Sequence, residues 1–125
     1  MFHIDGLTFG IVICNDSNFA EPAQTITAAG ATAMFVPSNN ALPVSRADVV
    51  AEARNVDIAR ARENNLWVIR ADVAGRYGDR LSWGSSCIVD PEGTLLQEGL
   101  PLTEGVLVAE VEPTSNPRSD GGHLR

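Results

Sequence analysis

The chain has 125 residues and a formal net charge of −7, with 16 acidic against 9 basic residues. That is one domain's worth of polypeptide, and it lacks the basic face needed to track a phosphate backbone, which excludes nucleic acid as a partner. No apolar run reaches the roughly 18 residues that span a bilayer, and the opening MFHIDG has neither the basic nor the apolar region of a secretion signal. A soluble cytoplasmic protein with no membrane partner is expected.

In chain order, Leu7 to Cys14 is apolar and rich in β-branched residues, with Asp5-Gly6 before it and the polar turn Asn15-Asp16-Ser17-Asn18 after it. It predicts a buried strand. Glu21 to Ala29 reads as a short helix with an acid and a proline in its first turn and Gly30 just past its end. Ala33 to Val36 predicts a second strand, and strand, crossover helix and strand together give parallel neighbours. A loop over Pro37 to Pro43 precedes the longest helical segment, Ser45 or Arg46 to Asn64, where Ala47, Val50, Ala51, Arg54, Ile58 and Ala61 recur at three-and-four spacing. Leu66 to Ala71 predicts a third strand and Asp72 to Trp83 a long loop. Ser86 to Val89 and Thr94 to Gln97 flank the turn Asp90-Pro91-Glu92-Gly93, and Val106 to Val111 predicts a last strand. The architecture is α/β, a mixed β-sheet with helices on one face, over a domain spanning residues 1–112. Residues 113–125, almost devoid of apolar side chains, predict a disordered tail.

The cysteines, Cys14 and Cys87, and the histidines, His3 and His123, form no closely spaced set, so neither a metal nor another cofactor is expected. A disulfide between the cysteines is disfavoured in a reducing compartment. Cys14 ends the first strand of a βαβ unit. The crevice at the carboxyl ends of such strands is where ligands bind, and the turn that follows offers backbone N–H groups and partial positive charge that favour a thiolate and hold an oxyanion. Cys14 is therefore a candidate nucleophile. Packing as a small apolar residue at a strand end accounts for the same placement.

Four ordered blocks carry a resemblance. Gly10-Ile11-Val12-Ile13-Cys14-Asn15-Asp16-Ser17-Asn18-Phe19-Ala20-Glu21 resembles G-x-x-I-C-x-D-x-x-F-P-E, the nucleophile segment of the nitrilase superfamily of carbon-nitrogen hydrolases. Gly30-Ala31 with Phe35-Val36-Pro37 is similar to that family's second strand, Ala59 to Asn64 to its A-R-A-x-E-N helix end, and Gly84 to Gly93 to its G-x-S-x-I-x-D-P-x-G hairpin. The resemblance implies that Cys14 attacks an amide carbonyl to form a thioester that water then hydrolyses. It also implies a four-layer α-β-β-α sandwich, of which this chain covers roughly the second half, leaving an apolar sheet face exposed.

The family pairs its cysteine with a Glu, as general base, and a Lys, for the oxyanion, both well before the cysteine. Thirteen residues precede Cys14, and all nine basic residues are Arg, so neither can be matched. The implied molecule is a truncated or split amidase-type hydrolase, weak or inactive alone, which pairs with a missing N-terminal half or forms a homo-oligomer. The alternative is a non-catalytic remnant acting as an interaction module through the exposed face. A cysteine-dependent thiol enzyme unrelated to amides would need a histidine partner, and only His3 lies nearby in sequence.

Asn15-Asp16 after the cysteine resembles the amidase and carbamoyl-cleaving branches, and Ser17-Asn18 in place of an arginine favours a neutral or polar small-molecule amide over an anionic one. The substrate-binding candidates are Asn15, through its backbone N–H, Asn18 and Asn39, with Asn40 beside it. Asp16 and Glu21 are read as turn and helix-start residues rather than as the general base. Arg70 and Asp72 flank a strand end, where an internal ion pair and a substrate contact both fit. Trp67 and Trp83 are expected to pack or to sit at an interface, and His3 to lie exposed.

Overall fold

The computed structural model describes residues 1–113. The predicted tail lies, from residue 114 onward, outside the described residues. The elements in order are β1 (Phe2–Ile4), β2 (Leu7–Ile11), a 3-10 helix (Cys14–Asn18), α1 (Ala20–Ala28), β3 (Ala33–Ser38), β4 (Leu42–Pro43), α2 (Val49–Asn64), β5 (Trp67–Asp72), β6 (Ala74–Tyr77), β7 (Arg80–Trp83), β8 (Cys87–Val89) and β9 (Leu95–Glu98). Six strands form one sheet in the order β1-β2-β3-β5-β8-β9, and β4-β7-β6 form a smaller one. β2, β3 and β5 are parallel, as the crossover argument requires, while β1, β8 and β9 pair antiparallel.

Period-two alternation assigns the two faces. From β3, Met34 and Val36 join Val68, Cys87 and Val89 in a core with Ala23 and Ile26 of α1 and Ile58 and Ala61 of α2. Ala33, Trp67 and Ile88 point the other way and gather Leu7, Phe9 and Ile69, with no helical residue among them. Both helices therefore cover one face of the mixed sheet, which is half of an α-β-β-α sandwich. Gly10 lets α1 come close to β2, since a Cβ there would stand 2.8 Å from Cγ2 of Ile26.

Three expectations change. The first strand stops at Ile11, because the chain turns into the 3-10 helix at Cys14. The predicted loop over Asp72 to Trp83 is a β-hairpin: β6 and β7 pair around the two-residue connection Gly78-Asp79, with Gly78 at φ +61°. Val106 to Val111 has the right alternation but pairs with no strand among the described residues. Leu107, Ala109 and Val111 instead pack on the helix-free face over Trp67 and Ile88, and the Trp67 indole N–H donates to the Glu112 carbonyl at 3.2 Å. That face is thus partly covered by the chain itself, although Phe2, Ile4 and Ile11 remain about half exposed.

The turns form for local reasons. In the β8–β9 hairpin, Asp90 Oδ1 accepts from the N–H groups of Glu92 and Thr94, and Gly93 takes φ +89°. α2 ends at Asn65, whose left-handed backbone (φ +51°) returns its N–H to the Ala61 carbonyl.

Candidate active site

Cys14 sits where β2 runs out and the 3-10 helix begins, half-buried, with φ +50°. A left-handed backbone on a residue with a Cβ costs ~1 kcal/mol, and such strain collects at functional turns. The turn is held from inside. Ser17 Oγ donates to the Cys14 carbonyl at 2.8 Å and accepts from Arg70 Nη2 at 3.0 Å. Arg60 donates to the Ser17 carbonyl at 3.0 Å and to the Asn18 carbonyl at 2.8 Å.

Arg70 is anchored in turn. Its Nε and Nη2 grip both Asp57 oxygens at 2.7 and 2.8 Å, and Nη1 donates to Ser38 Oγ at 3.3 Å. The two side chains of this pair are 4% and 0% exposed. Burial works against the Arg70 charge, but the hydrogen bonds and charge of Asp57 outweigh it and hold the guanidinium above its ordinary value. Asp57 Oδ2 also receives the Cys87 S–H at 3.2 Å. Burial, then the Asp57 charge, push that thiol up to about 12. Cys87 is thus kept as a buried neutral thiol, and both cysteines are free.

The ion pair at this strand end joins Arg70 to Asp57, not to Asp72. Asp72 accepts from Ser38 Oγ and from the N–H and Oγ of Ser85. Arg54 belongs to the stripe that the sequence predicts, but Asp57 and Arg60 are not singled out by the sequence. They lie with Ala53, Ala61 and Asn64 on the buried stripe of α2, whereas Ala51 of the expected stripe is exposed. The available signal was Arg70 itself, an ion inside an apolar strand that requires a counterion from the layer above.

The thiol opens on a small cleft of about 90 Å³ lined by Cys14, Asn15, Asn18, Asn40, Glu52 and Arg70, among others. Larger depressions, of about 430 Å³ beside Asp72 and Glu98 and about 810 Å³ between Ile13 and α1, do not include Cys14. The structure therefore brings Asn15 and Asn18 to the thiol, tied to each other by the Asn18 Nδ2 donation to Asn15 Oδ1 at 2.9 Å. Asn39 is not among the lining residues. Its Oδ1 accepts from Ser82 Oγ, fastening the loop to β7, and the neighbouring Asn40 faces the cleft instead. Glu21 stands exposed in the first turn of α1, and the Asp16 carbonyl caps Phe19 N–H. His3 is exposed and bonds Thr8 on β2. Among the described residues, no three His, Cys, Asp or Glu are grouped to hold a metal ion, and no helix is long and apolar enough to cross a membrane.

The model of the carbon-nitrogen hydrolase family matches residues 1–115. The chain belongs to that family. It is 34% identical over 111 residues to 2-oxoglutaramate amidase of Bacillus subtilis (strain 168), covering 89% of this chain and 40% of that protein. A carbon-nitrogen hydrolase from Helicobacter pylori G27 shares the fold at a TM-score of 0.72 and 20% identity, over 80% of this chain and 39% of that one. An amidase from Nesterenkonia sp. superposes at 0.70 with 28% identity, over 83% and 37%. A mutant of the Nesterenkonia amidase, at 0.67 and 27% over 80% and 38%, shows the result of Michael addition of acrylamide at its active site cysteine. This chain thus spans about 40% of the length of each of these relatives.

Proposed function

We propose that the chain carries the nucleophile of a carbon-nitrogen hydrolase of the amidase type, with Cys14 as the attacking residue. The observation that carries this reading is the strained, internally clamped turn that presents the Cys14 thiol to a cleft lined by asparagines, in a family where a relative's active-site cysteine is alkylated by acrylamide. The Cys14 thiolate forms a C–S bond to the amide carbonyl carbon while the carbonyl electrons move to oxygen, where the Asn15 backbone N–H donates. Collapse of that oxyanion breaks the C–N bond, and the nitrogen leaves as ammonia after taking a proton. Water then forms a C–O bond to the thioester carbon, the C–S bond breaks, and a carboxylic acid and the thiol result.

Two groups are missing from this sequence of events. Glu52 and Arg70 are the ionic side chains lining the cleft. Arg70 is engaged by Asp57, Ser17 and Ser38, and Glu52 by Arg46 at 3.2 Å. Neither takes the place of the family's general base and oxyanion lysine, so activity requires a base and an oxyanion cation from elsewhere: the remaining part of the family sandwich, packed on the apolar face, or a carboxylate and an arginine of a second copy. A carboxylate at the cleft mouth and a cation already spoken for favour a neutral polar amide over an anionic one. Two free thiols suit a cytoplasmic setting. The alternative, an interaction module without catalysis, draws on the half-exposed Phe2, Ile4 and Ile11 of the same face.

Fluoroacetamide labelling followed by peptide mass spectrometry separates these readings. Cys14 is expected to be alkylated faster than N-acetylcysteine at the same pH, with Cys87 untouched, while simple amides yield little ammonia with this chain alone. Alkylation of Cys14 no faster than that of N-acetylcysteine would overturn the nucleophile assignment. Substantial ammonia release that disappears in Cys14→Ala would overturn the requirement for further groups.

A further inference from the structure

We propose that Arg70, locked by Asp57, is a positioning residue for Cys14, acting through Ser17. This rests on Cys14 being the nucleophile and goes beyond it by assigning what holds the thiol in its attacking orientation.

The connection is short and sealed from water. One oxygen, Ser17 Oγ, both donates to the Cys14 carbonyl at 2.8 Å and accepts from Arg70 Nη2 at 3.0 Å. A hydroxyl has one proton to give, and acceptance from Arg70 leaves that proton directed at the Cys14 carbonyl. Ser17 is 2% exposed, Arg70 5% and Asp57 0%. Arg70 cannot swing away, because two of its nitrogens are held by both oxygens of one carboxylate and the third donates to Ser38. The turn needs such a hold because Cys14 takes φ +50°, a conformation that a residue with a Cβ leaves when released. Arg60 secures the far end of the same turn through the Ser17 and Asn18 carbonyls, so the Ser17 hydroxyl is the side chain that holds the end bearing the thiol, beside the backbone bond from the Asp16 N–H to the Ile13 carbonyl at 3.1 Å. An arginine serves where a lysine would not, since bridging Asp57 and Ser17 together needs a planar fork.

The test measures saturation labelling of Cys14 by fluoroacetamide, in which the thiolate forms a C–S bond, the C–F bond breaks and fluoride leaves with the electron pair. The quantities read are the maximal rate at saturation and the half-saturating concentration, on the full 125-residue chain. Cys87, fully buried, reports the fold in every sample, because it is labelled only if the core opens. Ser17→Ala cuts the link to Cys14 and leaves the Asp57–Arg70 pair whole. Its maximal rate is expected to fall on the order of tenfold, with half-saturation unchanged and Cys87 still protected. Ser17→Thr, which keeps the hydroxyl, restores the rate, and Arg70→Lys reproduces the loss. A purely structural role would move Cys87 labelling and leave the maximal rate of the protected fraction intact. Unchanged maximal rates in both Ser17→Ala and Arg70→Lys overturn the proposal. If Ser17→Ala exposes Cys87, Arg70→Lys decides alone. Wild-type Cys14 labelled without saturation, and no faster than N-acetylcysteine, fails the nucleophile reading instead.

Discussion

On its helix side the six-stranded sheet carries Arg70 and Cys87 beneath Asp57 of α2, joined by hydrogen bonds of 2.7 to 3.2 Å. On the other side it carries Phe9, Phe35, Trp67 and Ile88, with Phe9 and Phe35 edge to face at 4.9 Å and the segment through Leu107 and Val111 laid partly across them. The helix side gains its fixed geometry from directional bonds among ions that cannot be separated cheaply. The open side is apolar and sealed only in part. Fixing the orientation of a side chain calls for the first kind of construction, and the turn that bears Cys14 hangs from it through Ser17. The second kind suits a surface that meets another layer.

The largest effect that would break this contrast is Asp57→Ala. It leaves the Arg70 guanidinium buried without its counterion, at a cost of about 3–5 kcal/mol, to be measured by urea denaturation. The double variant Asp57→Leu/Arg70→Met, which removes both charges, should recover most of that loss. Equal damage in the single and double variants would mean that packing, not charge, is what the pair contributes. On the open face, Trp67→Ala should cost about 3 kcal/mol, because the ring is 7% exposed and bridges Ile88 and the covering segment. Here no double variant rescues, since the loss is contact area and one hydrogen bond to a backbone carbonyl, and added salt leaves it unchanged.

Cys87 supplies a pH signature for the helix side alone. Its thiol moves from an ordinary 9.0 up to about 12 in the folded chain. Between those values the unfolded chain has lost the proton and the folded chain keeps it, so stability is fully present below pH 9 and falls as pH rises. The slope is about 1.4 kcal/mol per pH unit. Cys87→Ala should flatten it, and a slope that survives in that variant would place the titration in another group.

Much of the fold is legible in the sequence, because buried parallel strands are short apolar runs: AMFV and LWVIRA mark β3 and β5 within two residues, while LTFGIVIC marks β2 but overruns its end by three. The candidate site was legible in part, through the cysteine at a strand end and the asparagines that follow it. The clamp was hidden, since Asp57 and Arg60 on a helix read as a solvated face until Arg70 is seen to need a partner inside the strand layer. The β6–β7 hairpin was hidden by charges that flank its Gly78-Asp79 turn. Val106 to Val111 alternates as a strand does, but alternation records which side of a segment is covered and says nothing of hydrogen-bonded neighbours.

The smallest effect is the most discriminating one, because it sets strain against function at a single residue. Cys14 holds φ +50° where the turn, clamped by Ser17 and Arg60, demands it. Glycine enters that region freely and alanine does not. Cys14→Gly should therefore be more stable than Cys14→Ala by about 1 kcal/mol in urea denaturation, although both lack the thiol. If the clamp is what imposes the strain, the difference shrinks when Ser17→Ala is added to each, because the released turn relaxes out of the left-handed region. A difference that persists in the Ser17→Ala background assigns the strain to the strand-to-helix geometry itself, and the Ser17–Arg70 link would then orient the thiol without bearing the cost of its conformation.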